Sequence, residues 1–165
     1  MKKFLFLGLV ASLLLSCAQP NPYETKLPDF RENAKVVHAL FDALENEDLE
    51  AAASFYSEET QFNPPAFGGK VLNKTELMEL YGGMMQLMNN IKANDRDFYP
   101  GVDNNFYPDG SVRAYIRWTA DAENGAIGEI KAYEVFRFNE EHKITEVDEY
   151  LDNTGLLNAI TAASE

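Results

Sequence analysis

The residues in this sequence best placed to do chemistry are two glutamates set among core-type side chains. Residues 132 to 138 (Ala-Tyr-Glu-Val-Phe-Arg-Phe) and 144 to 152 (Ile-Thr-Glu-Val-Asp-Glu-Tyr-Leu-Asp), joined by a polar turn, read as a β-hairpin. Alternate residues of a strand share a face. Ile130, Ala132, Glu134, Phe136 and Phe138 therefore fall on one side of the first strand, and Val147, Glu149 and Leu151 on the matching side of the second. A carboxylate among apolar side chains is costly unless it is paired, hydrogen-bonded or protonated. Two carboxyls in one apolar pocket do not both ionise easily, so one keeps its proton near neutral pH, and such a pair can act as acid and base. The alternative is structural: Arg113, Arg117 or a tyrosine hydroxyl satisfies each glutamate, and the two only close the fold.

Other side chains could line such a pocket. Trp118 shares the face of Val112, Ala114 and Ile116 in an alternating stretch, residues 111 to 121. Tyr56 and Tyr81 could offer hydroxyls to a ligand, although tyrosines with apolar bodies are common at core rims. Met78, Met84, Met85 and Met88 make one helix sulfur-rich, and Met84 and Met88 are expected in an adaptable wall. His38 and His142 form no ligand spacing with each other or with a carboxylate, so no metal is expected. With no glycine-rich phosphate loop and no serine or cysteine nucleophile motif, no cofactor is expected.

The elements that would position these residues are legible as periodicity. Residues 31 to 46 read as a helix with Val37, Leu40, Phe41 and Leu44 on one stripe, and Asp48 caps a second, shorter helix over 49 to 56. Residues 60 to 63 suggest a short strand leading into the loop at 64 to 69. Asn73-Lys74-Thr75-Glu76 has the form of a capping box and opens a helix to about residue 91, with Gly82-Gly83 inside it favouring a kink or a close approach. Strands are expected over 97–102, 111–121, 127–139 and 143–151, with turns at 108–111 and 123–125. Helices followed by an antiparallel meander predict an α+β domain, with about three helices on the concave face of a curved sheet.

Composition narrows the partners. The chain has 165 residues, 14 Lys+Arg against 27 Asp+Glu and a formal net charge of −13. Acidity of that order argues against nucleic acid and against an electrostatic grip on anionic lipid. On the outward sheet face Arg113, Tyr115, Arg117, Tyr133, Val135 and Arg137 form an aromatic and basic surface on an acidic chain, a candidate homodimer face.

Two resemblances follow from the motifs. Met1-Lys2-Lys3, an apolar run over residues 4 to 15 and Leu14-Leu15-Ser16-Cys17 resemble a bacterial lipoprotein signal, with Leu15 larger than the residue usual at its position. That resemblance implies cleavage before Cys17, the only cysteine, and its lipidation. It also implies a tether over 18 to 29, a domain over 30 to 165, and anchoring in the cell envelope, expected at the outer membrane and facing the periplasm. Loss of Lys2 and Lys3 would leave 12 Lys+Arg against 27 Asp+Glu, a net charge near −15.

The second resemblance covers residues 31 to 152. Residues 36 to 44 followed by Glu47-Asp48-Leu49, the run Phe55-Tyr56-Ser57-Glu58-Glu59-Thr60-Gln61-Phe62, and the final hairpin resemble the SnoaL-like branch of the nuclear transport factor 2-like superfamily. It implies a cone whose curved sheet wraps a pocket, in a superfamily of isomerases, cyclases, hydrolases and non-catalytic binders. Glu134 matches the oxyanion-hole acid of the ketosteroid isomerases. Leu40 stands where their catalytic tyrosine would be, and Asn63 or Pro64 where their aspartate would be. Glu149 matches an aspartate of the limonene-epoxide hydrolase relatives, but Thr119 replaces the aspartate that should partner Arg117. The expectation is a small, mostly apolar ligand in the cone, bound by Glu134, Glu149 and a tyrosine. The alternatives are an isomerase, cyclase or hydrolase using the same glutamates, or an interaction module using the outer sheet face.

Overall fold

The computed structural model describes residues 21–122, 127–152 and 154–155. The expected signal segment with Cys17, the turn expected at 123–125 and the chain beyond 155 lie outside the described residues. Helix α1 (Leu27–Glu45) opens four residues before the expected start, because Pro28 suits a first helical turn, where its missing N–H is not needed, and Asp29 adds an acidic group there. The last residues of the expected tether are therefore helical. Helix α2 (Leu49–Ser54) is capped as expected, the Asp48 carboxylate accepting from the Ala51 N–H at 2.9 Å. Strand β1 (Tyr56–Asn63) is twice as long as expected. Helix α3 (Lys74–Leu87) carries the capping box, with Asn73 and Glu76 each accepting from the other's backbone N–H.

Four strands complete the fold: β2 (Met88–Val102), β3 (Pro108–Ala122), β4 (Ile127–Phe138) and β5 (Ile144–Tyr150). Two expectations fail here for local reasons. Met88 to Ile91 were expected to continue the helix, but Asn89 and Asn90 are weak helix formers, Asn90 has φ +53°, and Met88 pairs with Ala122. Pro108–Ser111 is not a turn but the start of β3. The chain reverses at 103–107 instead, where Asp103 accepts from the N–H groups of Asn105 and Tyr107 at 2.8 and 3.0 Å.

The sheet order is β1-β5-β4-β3-β2, curved and unclosed. It is not wholly antiparallel: β1 runs parallel to β5, Phe62 opposite Val147, while the other three pairings are antiparallel. Pairing β1 with β5 lets the first strand and the last share an edge. The Thr60 hydroxyl, 2% exposed, fastens them by donating to the Ile144 carbonyl at 2.6 Å.

The three helices pack on one face of the sheet. Val37, Leu40, Phe41 and Leu44 of α1 meet Val112, Ala114 and Ile116 of β3, Phe136 of β4 and Val147 of β5 in a single core. Helix α3 is more loosely seated: only Leu77 is buried, and Leu80, Met84 and Leu87 are 40, 37 and 57% exposed. Packing is thus dense at the α1 end, and slack where α3 borders the open end of the cone.

Candidate functional site

The core is not filled to the end of the cone. A cavity of about 170 Å³ opens between α1, α3 and the concave sheet face. Leu40, Phe41 and Leu44 of α1 form its floor, and Leu80, Tyr81, Met84 and Met85 of α3 one wall. Trp118, Ile130, Glu134, Glu149 and Leu151 form the opposite wall, with Met88, Ile91, Phe62 and Pro64 at the sides. Among the described residues no lysine, arginine or histidine lines it.

Register decides the chemistry of this cavity. Glu134 of β4 lies directly opposite Glu149 of β5, and on its other side opposite Ala114 of β3. Side chains directly opposite in adjacent antiparallel strands share a face and are near neighbours. Glu134 is 7% exposed, and its Oε1 accepts from the Trp118 indole Nε1–H at 3.4 Å. Burial, and secondarily the Glu149 charge, push the Glu134 carboxyl up to about 8, against a small downward pull from the Trp118 hydrogen bond. Burial likewise raises Glu149 to about 7. The two titrate as one unit, and near neutral pH the pair holds about one proton between them.

Arg113 and Arg117, weighed above as partners for these glutamates, stand on the other sheet face. Arg113 donates to the Tyr133 hydroxyl at 2.6 Å, and Arg117 pairs with Asp95 at 2.6 Å and Glu129 at 3.5 Å. The structural alternative therefore loses its cations. Trp118 is both wall and donor, its ring packed edge-on against Phe41 at 5.1 Å between centroids. Phe41 is held from behind by the Arg96 guanidinium, 5.7 Å from its centroid and itself fixed by Asp42 and Glu45 at 2.6 Å each.

Of the remaining expected residues, Tyr81, Met84 and Met88 line the cavity and Tyr56 does not. Tyr56 is 2% exposed and reaches the site through a hydroxyl–hydroxyl hydrogen bond of 3.1 Å to Tyr81. Burial raises the phenol of both tyrosines above its ordinary value; at Tyr81 the neighbouring Tyr56 adds to this, and Glu134 and Glu149 add at both. Phe41, Met85 and Ile91 were not expected in the site. Phe41 was visible only as one member of the α1 core stripe, and nothing in a periodic stripe marks which member faces a void.

The two histidines are elsewhere. His38 packs on Phe98 at 4.5 Å, and His142 Nδ1 is 2.7 Å from the Asn33 side-chain oxygen. Among the described residues no group of histidine, cysteine, aspartate and glutamate is arranged to hold a metal ion. A second, polar depression of about 640 Å³ lies at the N-terminal end of α1. There Lys26 pairs with Asp29 at 2.8 Å, and Asn33 donates to the Gly110 carbonyl at 2.8 Å. The Asn33–Gly110 hydrogen bond latches α1 to β3.

The family comparison agrees with the geometry. The sequence model of the SnoaL-like domain matches residues 37–147. No curated protein matches. Among solved structures, BvnE pinacolase from Penicillium brevicompactum is 23% identical, with 82% of this chain and 99% of that one covered at a TM-score of 0.66. A candidate polyketide cyclase from Xanthomonas campestris pv. campestris is 14% identical, with 80% and 99% covered and a TM-score of 0.65. The epoxide hydrolase/cyclase-like enzyme SalBIII, of pyran ring formation in the polyether salinomycin, is 18% identical, with 75% and 93% covered and a TM-score of 0.63. At these identities the structures speak for the fold alone. The chain belongs to the SnoaL-like domain family.

Proposed function

We propose that this SnoaL-like domain is an acid–base enzyme acting on a small, mostly apolar, oxygen-bearing molecule held in the cone. In this reading Glu134 and Glu149 share the proton that the reaction moves. One observation carries it: the two carboxyls stand opposite each other across one strand pair, inside a cavity that, among the described residues, no cationic side chain lines. A pair that holds one proton near neutral pH contains an acid and a base at once, as isomerisation, cyclisation and water addition each require. The similar structures that carry a reaction in their names, a pinacolase and an epoxide hydrolase/cyclase-like enzyme, support that range of reactions. A lining without Lys, Arg or His among the described residues favours an uncharged substrate over an organic anion.

The test is turnover of small neutral epoxides and α-hydroxy ketones, followed by product analysis, with Glu134→Gln and Glu149→Gln compared. Each substitution is expected to lower kcat by about 10²–10⁴ while leaving substrate affinity within a few-fold. Equal loss of affinity with no turnover in the parent protein would instead establish a binding protein, the other reading of the same cavity. Glutamine variants that turn over as well as the parent would remove both residues from the mechanism.

The same proposal includes tethering through a lipidated Cys17 to the bacterial cell envelope, at the periplasmic face of the outer membrane. Cys17→Ser is expected to move the domain from the membrane fraction to the soluble one. Retention in the membrane would refute the anchor without touching the pocket.

A further inference from the structure

Tyr56 and Tyr81 are joined hydroxyl to hydroxyl at 3.1 Å, and either oxygen could be the donor by distance alone. Burial breaks the tie. Tyr56 is 2% exposed, and among the described residues its hydroxyl has one hydrogen-bonding partner, Tyr81. If Tyr81 donated to Tyr56, the Tyr56 hydrogen would be buried with no acceptor, which is costly. The lower-energy arrangement has Tyr56 donating to the Tyr81 oxygen. The Tyr81 hydrogen is then free, and Tyr81 lines the cavity.

We propose that Tyr81 is a catalytic residue that donates its phenolic hydrogen to an oxygen of the substrate, and that Tyr56 is the positioning residue that keeps this hydrogen turned into the cavity. The inference rests on the acid–base reading above and assigns the substrate's polar handle: a carbonyl, epoxide or hydroxyl oxygen. No hydrogen bond joins either tyrosine to Glu134 or Glu149 among the described residues, yet both carboxyls are near enough to raise the phenols. Tyr81, Glu134 and Glu149 line the same cavity, so a substrate held there meets both the donor and the acid pair. Both phenols stay protonated at working pH, so Tyr81 acts as a fixed donor and never as a base. A hydrogen bond fixed in advance strengthens as negative charge gathers on that oxygen. A bond received from Tyr56 polarises the Tyr81 hydroxyl and makes it a better donor.

The test uses two probes of one shape, acetophenone and ethylbenzene, which differ in the oxygen. Trp118 is the only tryptophan in the chain and lines the cavity, so its fluorescence reports occupancy. The parent protein is expected to bind acetophenone about 2- to 10-fold tighter than ethylbenzene. The infrared carbonyl band of bound, isotope-labelled acetophenone should lie below that in Tyr81→Phe. Tyr81→Phe should erase the preference, and Tyr56→Phe should raise the carbonyl band part of the way. Ethylbenzene affinity unchanged in both variants shows the cavity intact. Tyr81→Phe with the preference and the band of the parent overturns the donor role. Tyr56→Phe with the band of the parent overturns the positioning role. Failure of the parent to bind either probe overturns the cavity as a site. Glu134→Gln should lose turnover with the carbonyl band retained, so the glutamate and tyrosine assignments fail separately.

Discussion

Glu134 and Glu149 would be ordinary surface glutamates on the other face of their strands; one-residue alternation puts them inside, and burial does the rest. Because both carboxyls are raised in the folded protein, it binds more protons than the unfolded chain between the ordinary glutamate value of 4.5 and the raised values of about 7 and 8. The free energy of unfolding therefore falls as pH rises through that window, by at most about 1.4 kcal/mol per pH unit for each extra proton bound. The stabilisation is complete below about 4.5 and gone above about 8. Glu45, lowered by the Ala93 N–H and Arg96 against its burial, acts in the opposite sense and only at lower pH. Urea denaturation between pH 5 and 9 should show the decline, and Glu134→Gln should flatten it. A stability that is level across this range in the parent would mean the pair is ionised and solvated. In kinetics the same pair predicts a bell-shaped dependence of kcat/KM peaking near neutrality, with one limb lost in either glutamine variant.

At the scale of elements, α3 is the adjustable wall. Gly82 and Gly83 sit within it without breaking it, and they differ in surroundings. A Cβ at Gly82 would meet Leu49 Cδ1 at 3.3 Å, whereas one at Gly83 would meet nothing within 4 Å. The close approach expected from the sequence is thus real at Gly82, and the kink is not needed. Gly83→Ala should stabilise by about 0.5–1 kcal/mol through the lower backbone entropy of the unfolded chain. Gly82→Ala should gain less, because Leu49 must shift. Thermal unfolding of the two variants decides it, and equal stabilisation would mean that α2 yields freely. The elements themselves were legible where local chemistry dominates, as in the Asp48 cap, the Asn73–Glu76 box and the alternation of β3 and β4. They were misread at Met88, where apolar spacing fits helix and strand alike and pairing with Ala122 decides. They were also misread at Pro108–Ser111, whose turn-forming residues begin a strand.

For the whole molecule, the outer sheet face carries a row of tyrosines that crosses four strands. Tyr99, Tyr115, Tyr133 and Tyr150 have successive ring centroids 5.9, 4.8 and 5.6 Å apart. Tyr99, Tyr115 and Tyr150 are about half exposed, while Val135, expected beside them as open surface, is 6% exposed beneath its neighbours. An exposed aromatic row on the outer face of an acidic chain remains our proposed homodimer face. The expected outcome in sedimentation is a concentration-dependent dimer that Tyr115→Glu converts to monomer; a monomer at every concentration would withdraw it. Among the described residues no helix is long and apolar enough to cross a membrane.

The α+β class, the helix stripe of α1, the inward direction of Trp118, Glu134 and Glu149 and the family resemblance all follow from the sequence, because periodicity and capping are properties of neighbouring residues. Tertiary structure alone decided that Glu134 faces Glu149, that the arginines belong to the opposite face, that β1 joins β5 in parallel, and that Tyr56 serves the cavity only through Tyr81. Each is a relation between residues distant in the chain, fixed by strand register and by where packing leaves a void, and no local pattern encodes either.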